Sequence, residues 1–468
     1  MNSDFVYKGL WWFPDKPSEK FSGDLEIDSK GNLILTLLDE ATARQTLEKK
    51  TTKGDPIPLI VGYCKNKVTK SDLAFSLFNC SIISYNVSGL AEFSLKAEYA
   101  TTFKNYKDID SLKIASAFLE VQMLNEWTDI SGISNAKDKA FRKLKISVGY
   151  DQPKPITLLK NKDFHMYIWF YATYSQRKNT FNIIENARIN IEFKKQKSFQ
   201  EFEKYLELIK NFLSFCISVP VSCKKIEFRE LSTLSAKRKN LNHQNTYELI
   251  ISESKTYTGI KSIDRKHMLL EYKRIANNES FYITKWIDLN DRLEPVFKLY
   301  FDTLYNPGLY RENAFLNNVA ALEIYHRINN PEFDGKDIRY YTKLDKIASQ
   351  ISNSNEKQWL LARMEKRKEA SLFNRILNIV ERTPTISKRF IKDFGEFATI
   401  VSNTRHYLTH FDHKNKQKGV ATGEDLIKLI SKTRVLIQIQ ILMDLGFTET
   451  ETNALVTKAI SNWHVWTK

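Results

Sequence analysis

Residues 198–218, SFQEFEKYLELIKNFLSFCIS, are the stretch at which the sequence changes its hydrophobic period. Ser198 is a residue type that caps helices, Glu201 stands three positions later as in a capping box, and apolar residues then recur at helical spacing. Up to about Gln196 the apolar residues alternate instead, as they do in half-buried strands. The stretch therefore predicts a long helix that separates a strand-rich part of the chain from a helix-rich part.

The part before this helix predicts an antiparallel β domain. Its segments combine alternation with Val, Ile, Phe and Tyr, and turn signals such as Ser29-Lys30-Gly31-Asn32 separate them. The absence of helical patterns between them favours a sandwich or barrel-like arrangement over βαβ units. The predicted strands are Asp24–Ile27, Asn32–Leu38, Ile57–Tyr63, Ala91–Tyr99, Lys113–Val121, Lys143–Gly149, Met166–Tyr174 and Ala187–Phe193, with two more after the helix at Lys225–Phe228 and Tyr247–Ser252.

From Asp264 onward the sequence predicts helices. Gly, Pro or Asn marks their connections, as at Asn306-Pro307-Gly308, and no repeat of about 20–50 residues is visible. The fold class is therefore α+β, with a β-rich antiparallel N-terminal domain followed by an all-α domain. The predicted helices cover about 265–276, 283–304, 311–327, 337–351, 356–382, 386–411, 423–445 and 449–461.

The composition is that of a globular protein with a basic surplus. Of 468 residues, 42% are hydrophobic and 27% charged, and 71 Lys and Arg against 55 Asp and Glu give a net charge of +16. A basic balance points weakly to an anionic partner, most often nucleic acid. No apolar run is long enough to span a bilayer, and the N-terminus lacks a signal pattern, so we expect a soluble, cytoplasmic protein.

Several common chemistries are excluded by missing motifs. The sequence has no G-x-G-x-x-G, P-loop, G-x-S-x-G or H-E-x-x-H run. The four cysteines match no C-x-x-C ligand pair and no disulfide framework. The spacing of Cys216 and Cys223 could be taken for metal binding, but we expect these two to be small buried hydrophobes. Trp11 and Trp12 are expected to anchor the first strand in the core rather than to stack RNA bases.

Three of the eight histidines lie within eight residues, at His406, His410 and His413. At positions i, i+4 and i+7 they share one stripe of a helix, and with Asp412 adjacent they could bind a transition metal. No further ligand motif precedes them, and a helix end near Asp412 would break the stripe. A metal site therefore stays the lesser alternative, and no metal or cofactor is predicted.

Arg405 and His410 form an R-x4-H pair. Five residues turn a helix by about 140°, yet the long arginine stem can bring its guanidinium toward the imidazole and leave room for a phosphate. Cleavage of RNA by its own 2′-hydroxyl needs a base, an acid and a fixed cation. Imidazole titrates near neutral pH and guanidinium holds phosphate as a permanent cation, so the pair fits this reaction without a metal.

Sequence runs at both ends of the chain resemble one family. Residues 404–412, TRHYLTHFD, with Ala320-Ala321-Leu322-Glu323 opening the helical domain, resemble the HEPN ribonuclease superfamily and most closely its ApeA-like branch. Residues 8–15, KGLWWFPD, followed by Ser22-Gly23-Asp24-Leu25 and Gly31-Asn32, are similar to the start of the ApeA N-terminal β domain. Together the two resemblances cover most of the chain.

The resemblance implies a metal-independent endoribonuclease of bacterial abortive-infection defence against phage, with tRNA as one candidate substrate. It gives Arg405 and His410 the catalytic positions, and supporting positions to His406, Tyr407 and Glu323. His406 departs from the family, which more often has Asn or Asp there. The implied partners are RNA, a second copy of the chain that completes the site at a HEPN dimer interface, and a phage protein as trigger, with no membrane.

The resemblance also implies a domain plan. Residues 1–260 form an ApeA-like sensing or regulatory domain, 261–304 form connecting helices, and 305–468 form the HEPN helical bundle. Within that bundle, Lys357, Arg363, Lys366 and Arg367 are the candidates for contacting an RNA backbone. The alternative function is a non-catalytic RNA-binding or phage-sensing module that uses the HEPN fold as a dimerisation platform.

Overall fold

A strand-rich unit precedes a helical one along the chain, which confirms the predicted α+β class. The computed structural model describes residues 5–28, 31–38, 56–65, 72–86, 92–140, 143–231, 246–252, 263–333, 338–365, 370–410 and 419–461. Residues 1–265 with 271–283 make up the first unit, and residues 266–270 with 284–468 make up the second.

The first unit is built on antiparallel strands. Thirteen strands form one sheet in the order β11-β12-β13-β8-β14-β15-β7-β5-β4-β1-β2-β3-β6, and β9 pairs with β10 alone. The strands are β1 Phe5–Trp12, β2 Phe21–Ile27, β3 Leu33–Leu38, β4 Ile57–Lys65, β5 Asp72–Asn86, β6 Glu92–Ala97, β7 Tyr99–Thr102, β8 Lys113–Val121, β9 Ile133–Ala140, β10 Lys143–Tyr150, β11 Ile156–Lys160, β12 Phe164–Arg177, β13 Thr180–Ser198, β14 Cys223–Arg229 and β15 Thr246–Ile251.

Six of these strands close into a barrel, because β5 pairs with β4 and also with β6 at the far end of the order. Apolar side chains such as Trp11, Phe75 and Leu95 fill the interior. The Trp11 indole Nε1 donates to the Gly23 carbonyl at 3.1 Å, and Gly62 lies so close to the Trp11 ring that any side chain there would collide with it. Trp11 is fully buried and Trp12 nearly so, which confirms their predicted core role.

The remaining strands continue the sheet as an open wing, and helix α2, Phe199–Ile217, packs on β8 and β13 of this wing. The predicted capping box is confirmed: the Glu201 N–H donates to Ser198 Oγ at 3.3 Å, and the Ser198 N–H donates to the Glu201 carboxylate at 2.9 Å. The short helix α1, Leu124–Thr128, was not predicted, since five residues are too few to show a helical period.

The second unit is helical, as predicted, but several of its helices begin or end at residues other than those predicted. The helices that follow α2 are α3 Glu279–Arg292, α4 Glu294–Tyr305, α5 Arg311–Asn329, α6 Ile338–Ala348, α7 Ser354–Glu365, α8 Leu372–Glu381, α9 Pro384–Ser387, α10 Phe394–His410, α11 Gly423–Asp444 and α12 Glu449–Ser461.

Four predicted helices were wrong in their extent. The predicted 265–276 helix is instead two 3-10 turns, Arg265–His267 and Tyr272–Arg274. The predicted 283–304 helix breaks at Leu293, where Pro295 starts a new first turn. The predicted 356–382 helix is not continuous, because Ala370 is not helical and Ser371 caps a new helix through the Asn374 N–H at 3.2 Å. The predicted 386–411 helix starts only at Phe394, where the Asp393 carboxylate accepts from the Glu396 N–H at 2.8 Å.

Helix α5 lies at the centre of the helical unit, packed against α4, α8, α10 and α11. Its buried side chains include Phe315, Leu322 and Tyr325. Helix α10 contacts both α8 and α5, and its inner face carries Phe397, Ala398, Val401 and Thr404. Within the described part of the chain, every helix is too short or too polar to cross a membrane.

Candidate functional site

The C-terminal turns of α10 carry the R-x4-H pair. Because Val401 and Thr404 hold the inner face of this helix in the core, the residues that follow are presented near the surface. Arg405 is half-buried, whereas His406 and His410 are exposed. The helix thus places one guanidinium and two imidazoles at one end of the bundle.

The two histidines lie together, and the arginine lies apart from them. The rings of His406 and His410 are 4.7 Å apart between centroids and inclined by 50°. Arg405 and His410 point from the helix axis at about 140° to each other. Among the residues that the structure describes, the Arg405 guanidinium has no hydrogen-bond or ion-pair partner. The predicted pair is therefore on one helix end, while its two groups do not contact each other within one chain.

Two hydroxyl groups fix this end of α10. Thr409 Oγ1 donates to the carbonyls of Arg405 at 2.9 Å and His406 at 3.1 Å, which satisfies carbonyls near the helix end. Thr404 Oγ1 accepts from the Ala421 N–H at 3.0 Å and so ties α10 to the chain entering α11. The Thr404 bond therefore fixes the turn before Arg405 to a neighbouring segment, whereas the Thr409 bonds stay within α10.

Such an arrangement suits the binding of a phosphate group and the transfer of protons at that group. A guanidinium without a counter-ion among the described residues is available to an anion from outside, and imidazole is the side chain that most often serves as a general acid or base. A cation at a helix C-terminus is also favoured by the helix dipole. The site carries the groups that phosphodiester cleavage by an internal hydroxyl needs, without requiring a metal ligand set.

The proposed supporting residues are placed less directly. Tyr407 is half-buried on α10. Glu323 is on α5, where its carboxylate accepts from Nη2 of Arg327 at 3.0 Å, one turn further along the same helix. Glu323 therefore has a partner on its own helix, and its supporting role stays a prediction.

Of the four residues predicted to contact RNA, two are among the described residues and two are not. Lys357 and Arg363 are on α7, whereas Lys366 and Arg367 lie outside the described residues. The Arg363 guanidinium lies over the ring of Trp359 at 5.4 Å, and Trp359 is 61% exposed. An aromatic ring and a cation are thus offered together at the surface of α7.

The alternative metal site also extends beyond the described residues, because His413 and Asp412 fall there. Among the described residues, no group of three His, Cys, Asp or Glu side chains could hold a metal ion. Of the three histidines, the structure brings His406 and His410 together.

A buried polar cluster beneath α10 was not predicted from the sequence. His326 of α5 and Arg375 of α8 are both completely buried, with His326 Nδ1 3.2 Å from Arg375 Nη1. Because guanidinium only donates, His326 Nδ1 accepts, and its Nε2–H donates to Asn378 Oδ1 at 3.0 Å. The only available signal was an arginine at an apolar position of the strongly amphipathic α8. This cluster joins the two helices on which α10 rests.

The helical unit matches the family model for the Apea-like HEPN domain over residues 316–451. HEPN domains are generally ribonuclease domains, and they typically dimerise and bind RNA. The β-rich part matches ApeA N-terminal domain 1 over residues 6–286, which is more than half of the chain. The chain therefore belongs to the ApeA family, as its sequence runs predicted, and this family indicates an anti-phage defence effector with a HEPN nuclease domain. No curated protein and no solved structure matches the chain.

Proposed function

We propose that the protein is a metal-independent endoribonuclease of abortive-infection defence that uses Arg405 and His410. The observation that carries the proposal is the Arg405 guanidinium, which has no partner among the described residues, on the same helix end as the exposed His410 in a chain of the ApeA family. Arg405 binds the scissile phosphate and His410 transfers protons.

The reaction needs only groups of the protein and of the RNA. The 2′-oxygen attacks the adjacent phosphorus while a base removes its proton, and the bond from phosphorus to the 5′-oxygen breaks as an acid protonates that oxygen. The products are a 2′,3′-cyclic phosphate and a 5′-hydroxyl. Arg405 stabilises the charge that develops on the phosphorane oxygens.

The separation of the two groups on one helix supports a paired site. With Arg405 and His410 about 140° apart around α10, a second copy of the chain can offer its own arginine and histidine to the same phosphate. One copy's His410 then acts as base and the other copy's His410 as acid. His406, at a ring distance of 4.7 Å, is placed to orient His410 or to contact phosphate.

Helix α7 supports binding of RNA outside the scissile bond. Trp359 offers an exposed ring for stacking on a base, and the neighbouring Arg363 adds a cation for the backbone. The proposal also assigns contacts with the RNA backbone to Lys357, and to Lys366 and Arg367, which lie outside the described residues. The β-rich domain, residues 1–260, senses the trigger, and the HEPN domain begins near residue 305 after connecting helices 261–304.

The proposal is tested by cleavage of RNA with purified protein in the presence of EDTA. Arg405→Ala and His410→Ala are each expected to lose at least about 100-fold in rate, because removing one proton-transfer or charge-stabilising group costs that much. Arg311→Ala, an exposed arginine at the start of α5, is the matched control and is expected to keep full activity.

Two results would contradict the proposal. Full cleavage by both variants in EDTA would exclude the R-x4-H site. A wild-type protein that binds RNA and never cleaves it, alone or with phage lysate added, would favour the non-catalytic RNA-binding alternative.

A further inference from the structure

The hairpin of β12 and β13 extends beyond the strands on either side of it. β11 pairs with β12 only as far as Ile168, and β8 pairs with β13 only from Ile189 onward. β12 and β13 pair with each other out to Arg177 and Thr180. The outer part of the hairpin is therefore a two-stranded ribbon, and we refer to its residues 172–184 as the hairpin arm.

The arm is fixed at its base and exposed at its tip. The Glu185 carbonyl accepts from Nδ2 of Asn125 at 2.8 Å, and the Glu185 carboxylate accepts from the Gly132 N–H at 2.7 Å. Asn125 belongs to α1, which packs on β13. Every residue from 173 to 182 is exposed. The arm is thus held in place without being covered by the described part of the chain.

Two aromatic rings are exposed on one face of the arm. Tyr174 is 79% exposed and Phe181 is 53% exposed. Tyr174 lies opposite Ile183, and Phe181 lies opposite Gln176, so the register makes the two aromatic residues diagonal neighbours about 7–8 Å apart on the same face. Neither ring packs on another aromatic ring among the described residues. Rings left in water add little to the stability of the fold, so both are available to a ligand.

The arm is positively charged. Arg177 ends β12 and Lys178 follows in the turn, whereas residues 172–184 include no Asp or Glu. In the described part of the chain, no carboxylate lies within 4.0 Å of either cation. The charge of the arm therefore complements an anionic ligand.

The side chains around the rings favour nucleic acid over a protein surface or a membrane. Gln176 lies opposite Phe181 on the ring-bearing face, and Ile184 is the one large apolar side chain of the reverse face. A membrane-bound element needs a continuous apolar face, and a protein interface needs an apolar centre shielded from water. Stacking on a base needs only the flat side of a ring, with a cation nearby for the phosphate. The arm offers this combination.

We propose that the hairpin arm binds single-stranded RNA, with bases stacked on Tyr174 and Phe181 and backbone phosphates on Arg177 and Lys178. This surface belongs to the β-rich unit, goes beyond the proposed catalytic site and does not depend on it. Every base has a flat face and every nucleotide a phosphate, so the arm binds with little sequence preference.

The test measures binding of a fluorescein-labelled, fully 2′-O-methylated RNA strand of mixed sequence to the full-length protein by fluorescence anisotropy. A strand without free 2′-hydroxyls cannot be cut by internal attack, so Kd is measured whether or not the HEPN domain is a nuclease. The test variant is Tyr174→Ala, and Tyr174→Phe keeps the ring. The matched control is Tyr310→Ala, because Tyr310 is a tyrosine with the same 79% exposure in the helical unit.

Tyr174→Ala is expected to weaken binding at least about fivefold, because the loss of one stacked base costs at least that much. Tyr174→Phe and Tyr310→Ala should keep the Kd of the parent. A duplex of the same sequence, whose bases are already stacked on each other, should bind the parent and all three variants equally.

The two cations are tested separately by the double variant Arg177→Gln with Lys178→Gln. The loss of two phosphate contacts should reduce the slope of log K against log salt by about 1.4. The matched control is Lys160→Gln with Lys162→Gln, which removes two exposed cations from the connection between β11 and β12 of the same unit. This control should keep the slope of the parent.

Three results would overturn the proposal: no binding of the single strand by the parent, an unchanged Kd in Tyr174→Ala, or equal losses in Tyr174→Ala and Tyr310→Ala. Binding of the parent to phosphatidylserine vesicles instead of the strand, lost in Tyr174→Ala, would show a membrane surface and overturn it as well. Loss of cleavage in His410→Ala, or its persistence, leaves these binding results unchanged, so the catalytic proposal and this one fail separately.

Discussion

The Ala421 N–H donates a hydrogen bond to Oγ1 of Thr404, with 3.0 Å between nitrogen and oxygen, and both residues are buried. Thr404 directly precedes Arg405, and Ala421 is two residues before Gly423, the first residue of α11. One hydrogen bond therefore joins the end of α10, with its proposed catalytic groups, to the chain that enters α11.

Replacing Thr404 by valine should weaken this connection. Valine has nearly the same shape but no acceptor, so the buried Ala421 N–H loses its partner, which costs about 1–3 kcal/mol. Urea denaturation should show this loss for Thr404→Val and a smaller loss for Thr404→Ser, which keeps a hydroxyl. Equal stability of the two variants would mean that the hydrogen bond contributes nothing.

The buried contact between His326 and Arg375 should be equally sensitive. Phenylalanine at position 326 fills the space of the imidazole but removes one acceptor from the completely buried guanidinium, which should cost about 1–3 kcal/mol. Arg327→Met, at the exposed neighbouring position, is the control and should stay within about 0.5 kcal/mol. Chemical denaturation measures the free energy of unfolding of both variants. Equal losses in the two variants would contradict the role given to the buried pair.

The β-rich unit offers a test in its pH dependence. Burial, and then repulsion by Glu227 and Glu120, raise the pKa of Glu248 above its usual 4.5, although Lys225 opposes the shift. A carboxyl whose pKa is raised by folding destabilises the fold once pH exceeds its folded pKa, and has no such effect below its unfolded pKa. Glu248→Gln should therefore raise Tm at pH 7.5 and have little effect at pH 4.

The control for this pH experiment is Glu26→Gln, an exposed carboxylate on β2 of the same unit. It should change Tm little at either pH. A Glu248→Gln protein that is less stable than the parent at pH 7.5 would contradict this prediction, because it would show that the Glu248 carboxylate makes a favourable contact.

The capping box at the start of α2 predicts a local stability effect. Ser198→Ala removes the acceptor for the Glu201 N–H and should cost about 1 kcal/mol, whereas Ser198→Asp keeps an acceptor and should cost less. Thermal denaturation measures the difference. Equal losses in the two variants would indicate that the serine acts through something other than its capping oxygen.

Features that depend on residues close together in the sequence were predicted correctly from local patterns. Ser198 and Glu201 cap α2 as their spacing indicates, and Trp11 is buried as its apolar run indicates. The barrel was not predictable as such, because its closure depends on β5 pairing with both β4 and β6, and alternation within a strand does not name its partners. Helix breaks such as Leu293 were missed because helical periodicity continues across them.

The candidate site shows the same division. The spacing of Arg405 and His410 is a local feature, and both residues stand at the end of α10 as expected. His326 and Arg375 are 49 residues apart in sequence. Only the packing of α5 against α8 brings them into contact, so no sequence pattern could have paired them.

The chemical nature of the new RNA ends tests the central claim most directly. RNA incubated in EDTA with the wild-type protein, and with His410→Ala as control, is sequenced by methods that distinguish 2′,3′-cyclic phosphate from 3′-hydroxyl ends. The account predicts cyclic phosphates and 5′-hydroxyls at discrete sites with the wild type, no such ends with His410→Ala, and no cleavage where a 2′-deoxynucleotide replaces the attacking hydroxyl. Ends with 3′-hydroxyl and 5′-phosphate groups, or the same cyclic ends from His410→Ala, would contradict it.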